Sequence, residues 1–205
     1  MKDRRDYIIQ KAMELYALQG YQDVSITDLQ NALDMGRGTL YYYFKNQDEL
    51  FQTCMEAYFL EPKQQALNSV GENATMEEMI QAMLDYLHTL EQTLMTFSNK
   101  SVNTSNVNNL MFMAYSRFPA LHRKAQRLAL KEVELWRKTI YNSQRLGIIR
   151  RGIDVDLIAL MLAHVKNSYD SGLGRTQMDF SLLEKSYYAM YELLKAAPEN
   201  VPNEH

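Results

Sequence analysis

Only twelve of the 205 residues are strong helix breakers, eight Gly and four Pro, and they are clustered instead of spread. The stretches between them carry apolar residues at three- and four-residue intervals, and no alternating Val/Ile/Thr run competes with that period. The chain is therefore expected to be all-α. Its length leaves room for one domain or two small ones with a real core. The longest unbroken apolar run, Leu157 to Ala163, is seven residues, far short of the ~20 needed to cross a bilayer. A lone cysteine, Cys54, can form no internal disulfide, and Met1 to Asp6 lacks the apolar segment that a signal peptide carries behind its charges. A cytoplasmic location is expected.

The first helix is expected from about Asp3 to Gln19, with Ile8, Ile9, Ala12, Leu15 and Tyr16 at helical spacing and Gly20 as its stop. Ser25 and Asp28 have the spacing of a capping box, and Ile26, Leu29, Ala32 and Leu33 give the second helix one short apolar face. Asp34-Met35-Gly36 makes a tight turn. The pattern restarts at Arg37, with Leu40 and Phe44 four residues apart, so two short helices flank about three residues, as in a helix-turn-helix. A fourth helix, capped by Asn46, is expected to run to Pro62. Beyond it, Thr75 with Glu78 opens a long helix striped by Met79, Met83, Leu87, Leu90, Leu94 and Phe97. Residues 99 to 109 are polar and expected to be partly irregular. Helices are then expected over Leu110 to Arg117, Pro119 to Leu146, Asp154 to Ser171 and Phe180 to Ala196.

Arg4 to Phe51 resembles the DNA-binding head of the TetR family of bacterial transcriptional regulators. The resemblance lies in Gly20-Tyr21, then Ser25-Ile26-Thr27-Asp28-Leu29, then Gly38-Thr39-Leu40-Tyr41-Tyr42-Tyr43-Phe44 followed by Asp48-Glu49-Leu50. A weaker likeness covers Gln144 to Arg150 and Asp154 to Leu157. The chain departs from the family pattern at Gln30 for a usual Ala, Asp34 for Gly, Gly36 for Ser and Gln47 for Lys. Asp tolerates a left-handed backbone and Gly is an acceptable N-cap. The resemblance implies a helix-turn-helix domain over residues 1–46 and a helical effector-binding and dimerisation domain over 47–205. It implies a regulator, in the family's usual manner a repressor, that binds a pseudo-palindromic duplex as a homodimer and is released by a small molecule.

A recognition helix must turn its N-terminal residues toward base edges and phosphates while its inner side holds it in the core. Arg37, Thr39, Tyr41, Tyr42 and Tyr43 are the outward candidates here, and Gly38 allows close backbone approach. Arg37 suits either guanine N7/O6 or a phosphate. The resemblance adds Thr27, Lys45 and Gln47. Charge speaks against a uniformly basic head: residues 1 to 50 hold six Lys+Arg against eight Asp+Glu, a net of −2. Residues 117 to 151 hold ten Lys+Arg against two Asp+Glu, a net of +8, which reads as the solvated face of one long helix or as an accessory anionic-partner surface.

For the effector, the candidate lining residues are Met83, Tyr86, Leu87, His88 and Leu90, then Met111, Phe112 and Tyr115, then Trp136 and Ile140, and finally His164 and Tyr169. Such a lining suits a mostly apolar or aromatic ligand, neutral or weakly anionic. Apolar stripes at Leu157, Ile158, Met161 and Val165, and at Leu183, Tyr187, Met190, Tyr191 and Leu194, suit a two-fold helical interface. Catalysis finds no motif: no His-Glu-x-x-His, no phosphate-cradling Gly loop, no Gly-x-Ser-x-Gly and no Cys/His metal spacing. No enzyme, metal or cofactor is implied. A helical interaction protein or a small all-α enzyme without sequence-specific DNA binding is the alternative reading.

Overall fold

The computed structural model describes residues 2–96, 104–165 and 180–196. Among them there is no β-strand, and no helix is long and apolar enough to cross a membrane. Helix α1 (Lys2–Gln19) buries Ile8, Ile9, Ala12, Met13, Tyr16 and Ala17, a face that recurs every three to four residues. It ends where Gly20 takes φ +86° and donates its N–H to the Tyr16 carbonyl at 2.8 Å. Helix α2 (Ile26–Leu33) starts on the expected capping box: Asp28 N–H donates to Ser25 Oγ at 3.2 Å, and Ser25 N–H donates to the Asp28 carboxylate at 2.8 Å. Ala32, expected on its apolar face, is exposed, because Leu29 and Leu33 already fill the contact with α1.

Asp34 adopts the left-handed conformation, φ 49° and ψ 50°, where the family pattern has Gly. The turn closes as Met35 N–H donates to the Gln30 carbonyl at 3.1 Å, and α3 (Arg37–Tyr43) follows with Gly36 at its N-cap. Helix α4 (Gln47–Met55) is capped by Asn46, which accepts from Glu49 N–H at 2.8 Å as its sequence position suggests.

Pro62 does not end this helix. The chain passes through a π-helical turn, Glu56–Leu60, straight into α5 (Glu61–Ser69), with Pro62 in the first turn of α5. Widening the turn relieves both of proline's defects, the missing N–H and the clash with the carbonyl four residues back. Helix α6 (Met76–Thr96) follows, opened by Thr75 and Glu78, with Met79, Ile80, Met83, Leu84 and Leu87 buried. Phe97 lies outside the described residues. Helix α7 (Thr104–Arg117) begins six residues before Leu110, correcting the expectation of an irregular 104–109 stretch. Val107 and Leu110 are both buried there, so packing outweighs the weak propensity of the Asn-rich run.

Helix α8 (Pro119–Arg145) is the longest, and its buried stripe is Leu121, Leu128, Glu132, Trp136, Thr139, Ile140, Asn142 and Ser143. Its last turn ties down the entry to α6: Asn142 Nδ2 donates to the Ala74 carbonyl at 2.9 Å, and Ser143 Oγ accepts from Met76 N–H at 2.8 Å. Helix α9 (Val155–His164), capped by Asp154, packs along α8, and residues 166–171 of the expected helix lie outside the described residues. Helix α10 (Phe180–Leu194) packs on α6. It stops two residues before Ala196 because Lys195 pairs with Ile149 in an isolated antiparallel bridge, with Ala196 N–H donating to the Ile148 carbonyl at 2.9 Å.

Candidate nucleic-acid interface

Two buried side chains orient α3. Leu40 and Phe44 are both within 3% of full burial and sink into the core of α1 and α2. The opposite face is left in solvent: Arg37, Gly38, Thr39, Tyr41 and Tyr42 are exposed, Tyr42 at 72%, and Tyr43 is half-buried. The Arg37 guanidinium lies 5.6 Å over the Tyr41 ring, and Tyr42 meets Tyr43 edge to face at 5.1 Å. These contacts limit how far the side chains wander and lower the entropy lost when they touch a partner. A Cβ built on Gly36 or Gly38 would meet nothing within 4 Å, so the folded chain itself has no steric need for glycine at either place. Thr27 is exposed on α2, and Lys45 is exposed just beyond α3.

Gln47 is different. Its Nε2 donates to the Val24 carbonyl at 2.6 Å and approaches the Tyr21 carbonyl at 3.5 Å, so the structure gives it a positioning task in place of the expected outward contact. It holds the loop before α2 against the start of α4. Several acidic residues of the head have partners of their own. Asp28 serves the cap of α2 and is held below the usual carboxylate range by its bonds to Ser25, Glu49 accepts from Lys45 N–H, and Asp48 accepts from the Tyr21 hydroxyl. Near α3 the exposed cations are Arg37, Lys45 and Arg5, whose guanidinium lies 5.0 Å over the Phe44 ring, against the exposed Asp34 in the turn, so this face is more basic than the net of −2 over the head.

Half of the ten basic residues from Arg117 to Arg151 are matched by acids or amides of other segments. Arg117 meets Asp48 at 3.5 Å, Lys124 meets Glu56 at 3.4 Å, Lys138 meets Glu72 at 2.6 Å, and Arg137 meets Asp156 at 2.5 Å as well as Glu134. Lys131 bonds Asn68. These pairs favour the solvated-face reading for the residues they involve.

The effector candidates do not converge as one group. Met83, Leu87, Trp136 and Ile140 are buried, and Tyr86, Leu90, Met111 and Tyr115 are half-buried. Phe112 is 77% exposed, since its neighbours Leu110 and Ala114 take the inward face of α7. Both histidines are on the surface: His88 stacks on Phe180 at 5.5 Å, and His164 Nδ1 lies 2.8 Å from the Leu160 carbonyl. Neither supplies the polar point expected of a pocket. Tyr169 lies outside the described residues. An open crevice of about 410 Å³ lies elsewhere, between the Tyr16–Asp23 segment and Asn109, Leu110 and Met113 of α7. Cys54 is fully buried, its thiol is pushed up by burial, and it donates to the Ile9 carbonyl at 3.4 Å, so it behaves as a small core residue.

Sequence reasoning missed Glu132. It is 1% exposed on the apolar stripe of α8 and pairs with Lys63 of α5 at 2.7 Å. The signal was present, since a carboxylate stands four residues from Leu128 and four from Trp136, where the helical period requires an apolar side chain. It also missed Arg117, which bridges the head and α7.

A family model described as bacterial regulatory proteins, tetR family, matches residues 8–54. An uncharacterized HTH-type transcriptional regulator, YhgD of Bacillus subtilis, is 25% identical over 114 residues, 53% of this chain and 60% of that protein. IcaR of Staphylococcus epidermidis, a negative transcriptional regulator of the biofilm operon icaADBC, is 20% identical over 88 residues, 43% of this chain and 48% of that one. The matches thus span about half the length of these relatives. Among solved structures, a TetR transcriptional regulator from Chloroflexus aurantiacus superposes with a TM-score of 0.66 at 19% identity, covering 96% of this chain and 98% of that one. Another from Haloarcula marismortui gives 0.65 at 14%, covering 95% and 100%. At these identities the likeness is one of fold.

Proposed function

Since the chain belongs to the TetR family, we propose that it is a cytoplasmic DNA-binding transcriptional repressor. It binds a pseudo-palindromic operator as a homodimer and is released by a small-molecule effector. The observation that carries the reading is the solvent-facing side of α3, where Arg37, Gly38, Thr39, Tyr41 and Tyr42 stand together on a helix fixed from behind by Leu40 and Phe44. Residues 1–46 act as the DNA-binding head and 47–205 as the sensing and dimerising part. With the helix in the major groove, Arg37 contacts a phosphate, Thr39 and the tyrosine hydroxyls supply further phosphate contacts, and the Tyr42 ring lies against a thymine methyl. Thr27 and Lys45 flank this face, and Gln47 supports it from inside. The repressor sign follows the negative regulator among the relatives. A pair of heads at fixed separation needs an interface, and Leu157, Leu160 and Met161, each about half exposed on α9, supply an apolar one.

The test is titration of duplex DNA taken from the region upstream of the chain's own gene. Affinity should fall linearly on logarithmic axes as salt rises, because each phosphate contact releases counterions. Binding that ignores salt, or no binding at low salt, contradicts the proposal.

A further inference from the structure

The crevice of about 410 Å³ lies where the head meets the body, and DNA binding makes no use of it. One wall is the end of α1 with the loop toward α2, carrying Leu18, Tyr21 and Asp23, and the other is α7, with Asn109, Leu110 and Met113. Its size is that of a small-molecule site. Leu18 is 44% exposed and Met113 is half-buried, so both walls offer open apolar surface. Asp23 is the one charged side chain of the lining. Its Oδ2 lies 3.8 Å from the point that a Cβ on Gly20 would occupy, so the carboxylate is folded back against the end of α1. That end already carries the negative pole of the helix, and α1 has no basic residue in its last turn. Among the described residues the carbonyls of Leu18 and Gln19 accept no backbone hydrogen bond, and no cation pairs with Asp23. Arg117, which lies over the Tyr21 ring, is paired with Asp48. The crevice thus holds an uncompensated negative charge.

We propose that this crevice is the effector site and that the effector is a primary organic ammonium ion with an apolar group. Its nitrogen sits between the Asp23 carboxylate and the end of α1 and donates to both, while its apolar group lies against Leu18, Leu110 and Met113. The inference rests on the reading of the chain as an effector-responsive regulator.

The sign of the ligand's charge follows from the lining. An anion would meet Asp23 and the negative pole of α1 with no cation in the lining to receive it. A primary ammonium brings three donors to a carboxylate and two open carbonyls. The apolar body expected from the sequence is kept, and its neutral or weakly anionic character is replaced, because that character rested on His88 and His164, which lie elsewhere on the surface. The two walls belong to different parts of the chain. A ligand that touches both fits one spacing of α1 and α7 better than another, and such differential affinity is what a switch requires. Tyr21 links the crevice to the recognition helix: it lines the crevice, and its hydroxyl donates to Asp48 in the first turn of α4, the helix that follows α3.

Three molecules of similar size test this with the full chain by calorimetric titration at neutral pH: 2-phenylethylamine, 2-phenylethanol and phenylacetate. The amine should bind at millimolar concentration, and the alcohol and phenylacetate about tenfold more weakly. Asp23 and Asn109 are both exposed, so substitutions there leave the fold intact. Asp23→Asn should remove the preference for the amine over the alcohol. Asn109→Trp fills the crevice from α7 and should weaken the amine by about tenfold. In a titration of the upstream duplex DNA, saturating amine should weaken binding by the wild type and leave the Asn109→Trp variant unaffected. Absence of amine binding at millimolar concentration, phenylacetate binding as tightly as the amine, or an amine preference that survives Asp23→Asn each overturns the inference. Amine binding that leaves the wild-type DNA titration unchanged overturns it as well. The calorimetry is run without DNA, so a failure of DNA recognition by α3 shows separately, as missing DNA binding before any amine is added.

Discussion

The guanidinium of Arg117, at the end of α7, lies 5.5 Å over the ring of Tyr21, in the loop between α1 and α2. The same Arg117 pairs with Asp48 at 3.5 Å, and Asp48 accepts from the Tyr21 hydroxyl. Tyr21 is one member of an aromatic group with Phe51 and Phe118, its ring centroids 4.5 Å and 6.1 Å from theirs. Residues of the head, of α4 and of the α7–α8 corner therefore meet at one place. Burial and the neighbouring Asp48 push the Tyr21 phenol up to about 12, so it remains a donor across the physiological range.

Arg117→Ala removes one exposed ion pair and two cation–π contacts, over Tyr21 and Phe118, each worth at most about 1 kcal/mol and at exposed sites less. The expected loss is about 1 kcal/mol in the free energy of unfolding by denaturant. Arg117→Lys keeps the ion pair but loses the planar stacking, and should fall between the two. No loss in the alanine variant would show that the α7–α8 corner does not fasten the head.

Gly38 separates folding from recognition. Its Cβ position is open and it sits within α3, so Gly38→Ala should raise stability by about 0.5 to 1 kcal/mol. DNA affinity should fall by tenfold or more if the backbone at this point approaches the duplex. Thermal unfolding and a DNA titration on one preparation check both arms, and unchanged DNA affinity removes Gly38 from the interface.

The dimer prediction depends on which residues the single chain already uses. Leu183, Tyr187, Tyr191 and Leu194 of α10 are buried within their own chain, whereas Leu157, Leu160 and Met161 of α9 are about half exposed. Leu157→Glu with Met161→Lys should therefore yield a folded monomer of 23.9 kDa in sedimentation and reduce operator affinity with it. A double variant that still sediments as a dimer would move the interface off α9.

Two helix caps give the protein a defined acid sensitivity. Bonds from Thr75 hold Glu78 below its ordinary value of 4.5, and bonds from Ser25 hold Asp28 below 3.8. A carboxyl depressed on folding contributes stability that is complete above its unfolded value and is lost as pH falls through its folded value. The thermal midpoint should thus fall as pH drops below about 4.5, and Glu78→Gln should flatten part of that fall. An unchanged profile would show that the α6 cap is not coupled to folding.

The helix-turn-helix was legible because its signals are local: the Ser25 capping box, the Asp34 turn, the Asn46 cap and the four-residue step from Leu40 to Phe44. What the sequence left hidden was long-range. Pro62 reads as a stop until the π turn before it is seen, since proline's clash depends on the geometry of the preceding turn. The excess of the basic stretch is partly offset only when Asp48, Glu56, Glu72 and Asp156 arrive from other segments. His88 and His164 were plausible interior groups by type, but helix rotation places both outside. Glu132 stands among many charges on α8, and only its phase, four residues from Leu128 and four from Trp136, marks it as inward.

Arg37 and Tyr42 lie on the exposed face of α3, where the ring contacts they make are with Tyr41 and Tyr43 of the same helix. Each changed to Ala should weaken DNA binding by about 1 to 3 kcal/mol while leaving thermal unfolding unchanged. The most direct measurement is selection from a random duplex library at low salt by the full chain, run beside the two variants. The expected result is an enriched pseudo-palindromic motif whose half-sites the variants recover poorly. A wild-type selection that returns no enriched motif would contradict the assignment of α3 as a recognition helix.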